Sequence, residues 1–250
     1  VTPPSYDALV LAGGRARRLG GISKPDVVVG GRQLLVHVLG AVDGRDVRRV
    51  VVVGPDTLAL PTGVTRTLED PPDGGPVAGI AAGLAALRDG AEPEWVLVLA
   101  CDVPRVAGAV PRLARAVDAR AVEVSSQGSD GVVLVDDDGR DQPLVGLYRR
   151  AALDDAVARL VGAGPVPGVS ARGRGGVRGA SVRALVGARD QARLTDPEHH
   201  GVDVDTWGDV RSLDAEGAAT AAPRRGTMTG QTDARPDEIP EALPDAGGAA

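Results

Sequence analysis

Short aliphatic runs recur along the chain, separated by segments whose apolar positions repeat every three to four residues. Ala8-Leu9-Val10-Leu11 is such a run, and it ends in Ala12-Gly13-Gly14, as a buried strand stopped by a glycine turn would. Residues 33–42 carry helical spacing, 49–53 read as the next strand, and 64–68 as a weaker one. The Ala-rich stretch 77–87 predicts a helix opened by Pro76, whose missing N–H is harmless in a first turn. Residues 95–100 form the most apolar strand and run into Cys101-Asp102. A helix over 107–119 follows, its start shifted by Pro111, then strands at 131–135 and 144–148 and a helix at 150–161. Alternating strands and helices of this kind predict an α/β fold. Its form is a Rossmann-like, doubly wound, mostly parallel sheet in three layers, built as a single domain.

Beyond that pattern, 162–179 is rich in Gly, Pro and Arg and reads as a mobile loop. A short helix is expected at 181–188, then Gly201-Val202-Asp203-Val204-Asp205 and a last helix from 207 to about 213. From 215 to 250 the chain turns to Ala, Gly, Pro, Thr and Asp without apolar period, the composition of a disordered tail. The expected organisation is a flexible N-terminus at 1–6, a folded domain at 7–214, and the tail.

Composition sharpens this picture. Among 250 residues 43% are hydrophobic but only 2% aromatic, with no Phe, so Val, Leu and Ala must fill the interior. Such side chains suit a parallel sheet covered on both faces. A net charge of −6 argues against nucleic acid or an anionic membrane as the main partner, since both need a basic footprint. Cys101 is the only cysteine, which leaves no internal disulfide. No stretch approaches the ~18 consecutive apolar residues of a membrane span, and Val1-Thr2-Pro3-Pro4-Ser5 lacks a signal pattern. A cytoplasmic location is expected. Lysine and arginine together number 28, yet Lys24 is the only lysine. An arginine bias this strong singles out Lys24 as a place where a compact ammonium does what a planar guanidinium does not, with chance as the alternative.

Ligands of open parallel sheets bind beyond the carboxyl ends of the strands, and two candidate segments lie there. In Leu11-Ala12-Gly13-Gly14 the paired glycines let backbone N–H groups approach a phosphate, with Arg15, Arg17, Arg18 and Lys24 supplying charge. Walker spacing is absent and so is G-x-G-x-x-G, which removes most support for a dinucleotide oxidoreductase. The second segment is Ala100-Cys101-Asp102-Val103-Pro104. A carboxylate at the tip of the most apolar strand needs a partner, and Mg²⁺ favours one or two carboxylates plus phosphate oxygens. Capping of the following helix explains Asp102 about equally well.

The stretch Leu11 to Pro25, LAGGRARRLGGISKP, closely resembles the signature LAGG-x-[SA]-x-R-[ML]-G-x(2)-D-K of the MobA-like molybdenum cofactor guanylyltransferases. Three further stretches resemble that family in its order. They are Leu68-Glu69-Asp70 leading into Gly75-Pro76-Val77-Ala78-Gly79, Leu99 to Pro104, and Asp203-Val204-Asp205-Thr206-Trp207-Gly208-Asp209-Val210 beside the family's (N/D)-x-(N/D)-T-P-E-D-L. The resemblance covers about 7–213. It implies a nucleotidyltransferase that passes GMP from GTP, with Mg²⁺, to the phosphate of molybdopterin and releases pyrophosphate; molybdoenzyme maturation proteins are implied as partners. Residue by residue, it implies that Leu11, Ala12, Gly13, Gly14, Gly75 and Pro76 hold the nucleotide. Arg18 and Lys24 would bind its phosphates, Asp70 would lie on the nucleoside side, Asp102 would bind Mg²⁺, and Asp205 would approach the same metal.

Three departures stand out: Ser23 where the family has Asp, Trp207-Gly208 for Pro-Glu, and Gly54 where Asn is common after the second strand. His37, His199 and His200 read as structural or solvated, and Cys101 as a small buried neighbour of Asp102. Gln142 to Tyr148 resembles an acceptor-side segment, with an edge strand and hairpin as the plainer alternative; Arg172, Arg174 and Arg178 lie on a glycine-rich loop that reads as mobile and solvated, with closure over a pterin phosphate as the alternative. The rival functions are a relative using another nucleotide or acceptor, of cytidylyl or sugar-phosphate type, and a nucleotide-binding module without catalysis.

Overall fold

The computed structural model describes residues 4–13, 15–16, 19–88, 93–123, 129–162, 176–187 and 190–221. Strand β1 (Tyr6–Leu11) is followed by two small antiparallel ribbons, β2 (Arg15–Ala16) with β3 (Ile22–Ser23) and β4 (Val28–Val29) with β5 (Arg32–Gln33). A 3₁₀ turn, Lys24–Asp26, links the ribbons. Next come α1 (Leu34–Ala41), β6 (Val47–Val53), β7 (Val64–Thr67), α2 (Pro76–Ala86) and β8 (Trp95–Ala100). The chain continues with α3 (Ala109–Glu123), β9 (Gly131–Val135), β10 (Asp141–Arg149), α4 (Arg150–Gly162), α5 (Val182–Val186), β11 (Gln191–Thr195) and α6 (Trp207–Ala221).

The main sheet has the order β11-β9-β10-β8-β1-β6-β7. Every pairing is parallel except those of β10, which runs antiparallel to β8 and β9. From β1 the chain steps outward to β6 and β7, then returns to lay β8 on the other side of β1. The switch point of the topology therefore lies between β1 and β8, where a crevice opens beyond the strand ends.

Alternation of side chains along each strand divides the core between the two faces. Ala8, Val10, Val52, Leu97 and Leu99 face Leu35 and Val38 of α1 and Leu113 and Val117 of α3. Leu9, Val51, Val53, Val96 and Val98 face Ile80 and Leu84 of α2, Leu153 of α4 and Leu185 of α5. Three layers result, as expected. A satellite core of Leu19, Val27, Val29, Leu34, Val204 and Val210 ties the segment after β1 to the segment before α6. Pro111 sits at the third position of α3, where an N–H has no intrahelical partner.

The structure departs from the expected elements in five places. The two ribbons and β11 are additional; β11 lies at the sheet edge with only Ala192 buried, so it lacks an apolar run. The segment Gln142 to Tyr148 is not an edge strand, because β10 is an interior strand between β8 and β9. Helix α6 continues past 214 to Ala221, so disorder does not begin at 215; Ala215, Glu216, Ala218 and Ala219 are strong helix formers even without an apolar period. Residues 222–250, 163–175 and 1–3 lie outside the described residues. Among the described residues no helix is long and apolar enough to cross a membrane.

Candidate active site

Register places the two candidate segments side by side. Leu11 pairs with Ala100 across the switch point, and the Cys101 N–H donates to the Leu11 carbonyl at 3.0 Å. The turn at Ala12-Gly13 and the tip at Cys101-Asp102 thus leave neighbouring strands together. The Ala12 N–H donates to Val53 (2.8 Å) on the other flank. Gly54 follows, and a Cβ there would stand 3.1 Å from the Ala12 carbonyl oxygen and 2.7 Å from Leu58. A side chain at this position would therefore crowd the loop after β1.

The 3₁₀ turn beginning at Lys24 aims its side chain back across this crevice. Lys24 Nζ lies 2.5 Å from Asp102 Oδ2 and 2.5 Å from Asp205 Oδ1. Pairing across 181 residues of sequence is made possible by the satellite core, which packs Val27 and Val29 against Val204 and Val210. Val204 also donates its N–H to the Asp102 carbonyl at 2.9 Å. With Val204 fully buried, Asp203 and Asp205 on either side of it turn the other way, since neighbours in an extended segment alternate. Asp102, Asp203 and Asp205 each offer a carboxylate oxygen, all within 4.8 Å of one another.

Lys24 and Asp203 both respond to the negative charge gathered in this cluster. Burial alone would lower the Lys24 ammonium, but hydrogen bonds and charge from Asp102, then Asp205, outweigh it and hold Lys24 protonated far above its ordinary 10.5. Asp203 reaches solvent, yet desolvation and then the charges of Asp102 and Asp205 raise its carboxyl above the ordinary 3.8. Among the described residues, three carboxylates against one ammonium leave a formal excess of two negative charges when all are ionised. A set of hard oxygen donors with that excess fits a divalent cation of the Mg²⁺ type.

The loop is anchored beyond the cluster. Thr206 and Asp209 form a capping box at the start of α6. Asp209 N–H donates to Thr206 Oγ1 at 3.3 Å, and Asp209 Oδ2 accepts from the N–H groups of Thr206 (2.6 Å) and Asp205 (3.0 Å). Against some desolvation, those N–H groups hold the Asp209 carboxyl below its ordinary 3.8. The box uses neither Trp207 nor Gly208, so the departures at those positions leave it intact.

Other expected residues fall as follows. Gly75 caps α2 at φ +88°, a left-handed conformation that suits glycine, and Pro76 takes the first helical position. Asp70 is exposed on the loop that follows β7, with Glu69 accepting from the Gly74 N–H at 3.1 Å. Gly14, Arg17 and Arg18 lie outside the described residues, as do Arg172 and Arg174. Arg178 donates to the carbonyls of Pro71 and Pro72, which ties it to the loop before α2. His37 Nε2 lies 2.9 Å from the Val29 carbonyl, His199 pairs with Asp137 and His200 with Asp196. Burial, then Asp102, pushes the Cys101 thiol up, so it is no thiolate nucleophile at neutral pH.

Asp203 and Asp209 were not singled out from the sequence. The i, i+2 spacing of Asp203 and Asp205 was the available signal for the first, and the Thr-x-x-Asp spacing for the second.

Comparison with known proteins supplies the family and the fold. A family model described as a MobA-like NTP transferase domain matches residues 8–174. A molybdenum cofactor guanylyltransferase of Cupriavidus pinatubonensis is 34% identical over 161 residues, covering 62% of this chain and 76% of the relative. One from Burkholderia lata is 31% identical over 63% of this chain and 77% of its own. Among solved structures, molybdopterin-guanine dinucleotide biosynthesis protein A of Archaeoglobus fulgidus superposes with a TM-score of 0.60 at 19% identity, covering 86% of this chain and all of that one. A 2-C-methyl-D-erythritol 4-phosphate cytidylyltransferase of Thermus thermophilus has a TM-score of 0.56 at 21% identity, covering 86% of this chain and 99% of its own. These structural likenesses establish a shared fold.

Proposed function

Because the chain belongs to the MobA-like NTP transferase family and is a nucleotidyltransferase, we propose that it transfers GMP from MgGTP to the phosphate of molybdopterin. The observation that carries this reading is the meeting of Lys24, Asp102 and Asp205 beside the loop after β1, at the switch point of the sheet. Guanine is favoured by the pairing of Leu11-Ala12-Gly13-Gly14 with Gly75-Pro76-Val77-Ala78-Gly79, the combination that the resemblance links to that base.

In this reaction an oxygen of the acceptor phosphate forms a bond to the α-phosphorus, the bond from that phosphorus to the bridging oxygen breaks, and pyrophosphate leaves with its electron pair. A phosphate monoester is already anionic near neutral pH, its second pKa being about 6, so no general base is required. None of the three histidines belongs to the Lys24–Asp102 cluster, in keeping with that. Backbone N–H groups of the loop after β1 orient the triphosphate, and Lys24 balances the charge of its oxygens. Asp102, with Asp205 and Asp203, would hold Mg²⁺, which supplies further neutralisation of the phosphates. Positioning and fixed charge then account for catalysis.

The test is pyrophosphate release with molybdopterin, Mg²⁺ and GTP, CTP or ATP in turn. GTP is expected to support turnover well above the others, and Asp102→Asn to lower it by about 10²–10³ with the fold intact. Equal or better turnover with CTP refutes the guanine assignment. No release with any nucleotide refutes the reaction.

A further inference from the structure

Beyond the carboxylate cluster, the loop that carries Asp203 and Asp205 begins at a second polar knot. Asp196 follows β11 and is 5% exposed. Its Oδ2 accepts from the Gly201 N–H at 2.7 Å, and its Oδ1 lies 3.2 Å from His200 Nδ1 and 3.4 Å from an Arg112 nitrogen. Arg112, on α3, also donates to the Thr195 carbonyl at 2.6 Å. The other ring nitrogen of His200 lies 3.2 Å from Glu198. The His200 ring packs on Gly108, where a Cβ would stand 2.0 Å from Nε2. Gly108 closes the 3₁₀ turn (Val106–Gly108) just downstream of Asp102.

The 196–205 loop is therefore fastened at both ends to the stretch that follows β8. Asp196 and His200 hold one end against Gly108 and Arg112, and Val204 holds the other against the Asp102 carbonyl. A buried carboxylate with three partners is stiff, because losing any one leaves it under-satisfied. We infer that Asp196, His200 and Arg112 form a positioning unit that sets the spacing of Asp203 and Asp205 from Asp102, and so the affinity for the divalent cation, without touching it. This rests on the metal-binding reading given above.

The experiment titrates the nucleotide-free full chain with Mn²⁺, following free ion by electron paramagnetic resonance. His200→Ala is expected to weaken Mn²⁺ binding by about 10-fold, the lower end of what outer partners of metal ligands contribute. His200→Asn, whose amide nitrogen can occupy the place of Nδ1, should recover most of that loss. Asp102→Asn serves as the control for the site itself. Wild-type affinity in His200→Ala, with affinity lost in Asp102→Asn, overturns the positioning role and leaves the metal site standing. Unchanged affinity in Asp102→Asn overturns both. If His200→Ala fails to fold, Arg112→Gln takes its place: weakened binding supports the inference, and wild-type binding overturns it.

Discussion

Lys24 offers the sharpest test of the electrostatic reasoning. Its ammonium lies 2.5 Å from a carboxylate oxygen on each of two acids, one near the sheet tip and one on the loop before α6. With charge centres about 4 Å apart and an effective dielectric of about 20, each attraction is about 4 kcal/mol before desolvation. The side chains of Lys24 and Asp102 are 16% and 15% exposed, so that contact keeps most of its strength, whereas Asp205 at 45% is screened by water and contributes less. Loss of one preorganised charge of this kind commonly removes about 2.7–4 kcal/mol of transition-state stabilisation. Lys24→Ala should therefore lower turnover by about 10²–10³ in the pyrophosphate assay. Lys24→Arg should recover little of it, because a planar fork does not fit between two oxygens that converge on one nitrogen. The raised pKa of Lys24 means its stabilisation is complete below 10.5 and is lost only as pH climbs through the higher folded value. Any pH dependence near neutrality must then come from other groups. Turnover within a few-fold of wild type in Lys24→Arg refutes the argument for a compact point charge.

Three further outcomes follow from the same structure. Asp203→Asn should raise the melting temperature in metal-free buffer at neutral pH. Its folded pKa lies above 3.8, so the stability tied to its protonated form is present in acid and lost as pH rises through that value; a lower midpoint in the variant contradicts this sign. Arg49→Met should remove about 3–5 kcal/mol, on the order of 10 °C in thermal melts, by stranding the fully buried carboxylate of Asp7, to which Arg49 donates at 3.1 and 2.5 Å. Thr206→Ala should cost about 0.5–2 kcal/mol in denaturant unfolding through loss of the α6 cap, and a neutral result there removes the capping role.

The fold was legible where burial on both sides forces a continuous aliphatic run. Strands β1, β6 and β8 are of that kind, and the tips of β1 and β8 bring Gly13 and Asp102 to the same edge of the sheet. Strand β11 was not legible, because an edge position lets Gln191, Arg193 and Thr195 keep polar side chains and leaves no run to detect. The same holds for α6 beyond 214, where helix propensity without an apolar stripe imitates a tail. Lys24 and Asp102 could be read locally, one as the only lysine and the other as a charge ending an apolar strand. Asp203 was harder to single out because exposure makes an acid unremarkable in sequence, and only the buried Val204 beside it fixes its direction.

What sequence could not convey is why these groups share one place. Lys24 and Asp205 are 181 residues apart, and Arg112 and Asp196 are 84 apart, so neither pair leaves a local pattern. Both depend on apolar packing elsewhere. The satellite core of Leu19, Val27, Val29, Leu34, Val204 and Val210 closes the first pair, and the seating of β11 beside β9 closes the second. Charges of like sign do not gather spontaneously, so the three carboxylates are held together by that packing and by Lys24. An arrangement of this kind stores repulsion that a divalent cation would relieve, so on the proposed metal-binding reading cation affinity and stability would be two measures of the same cluster.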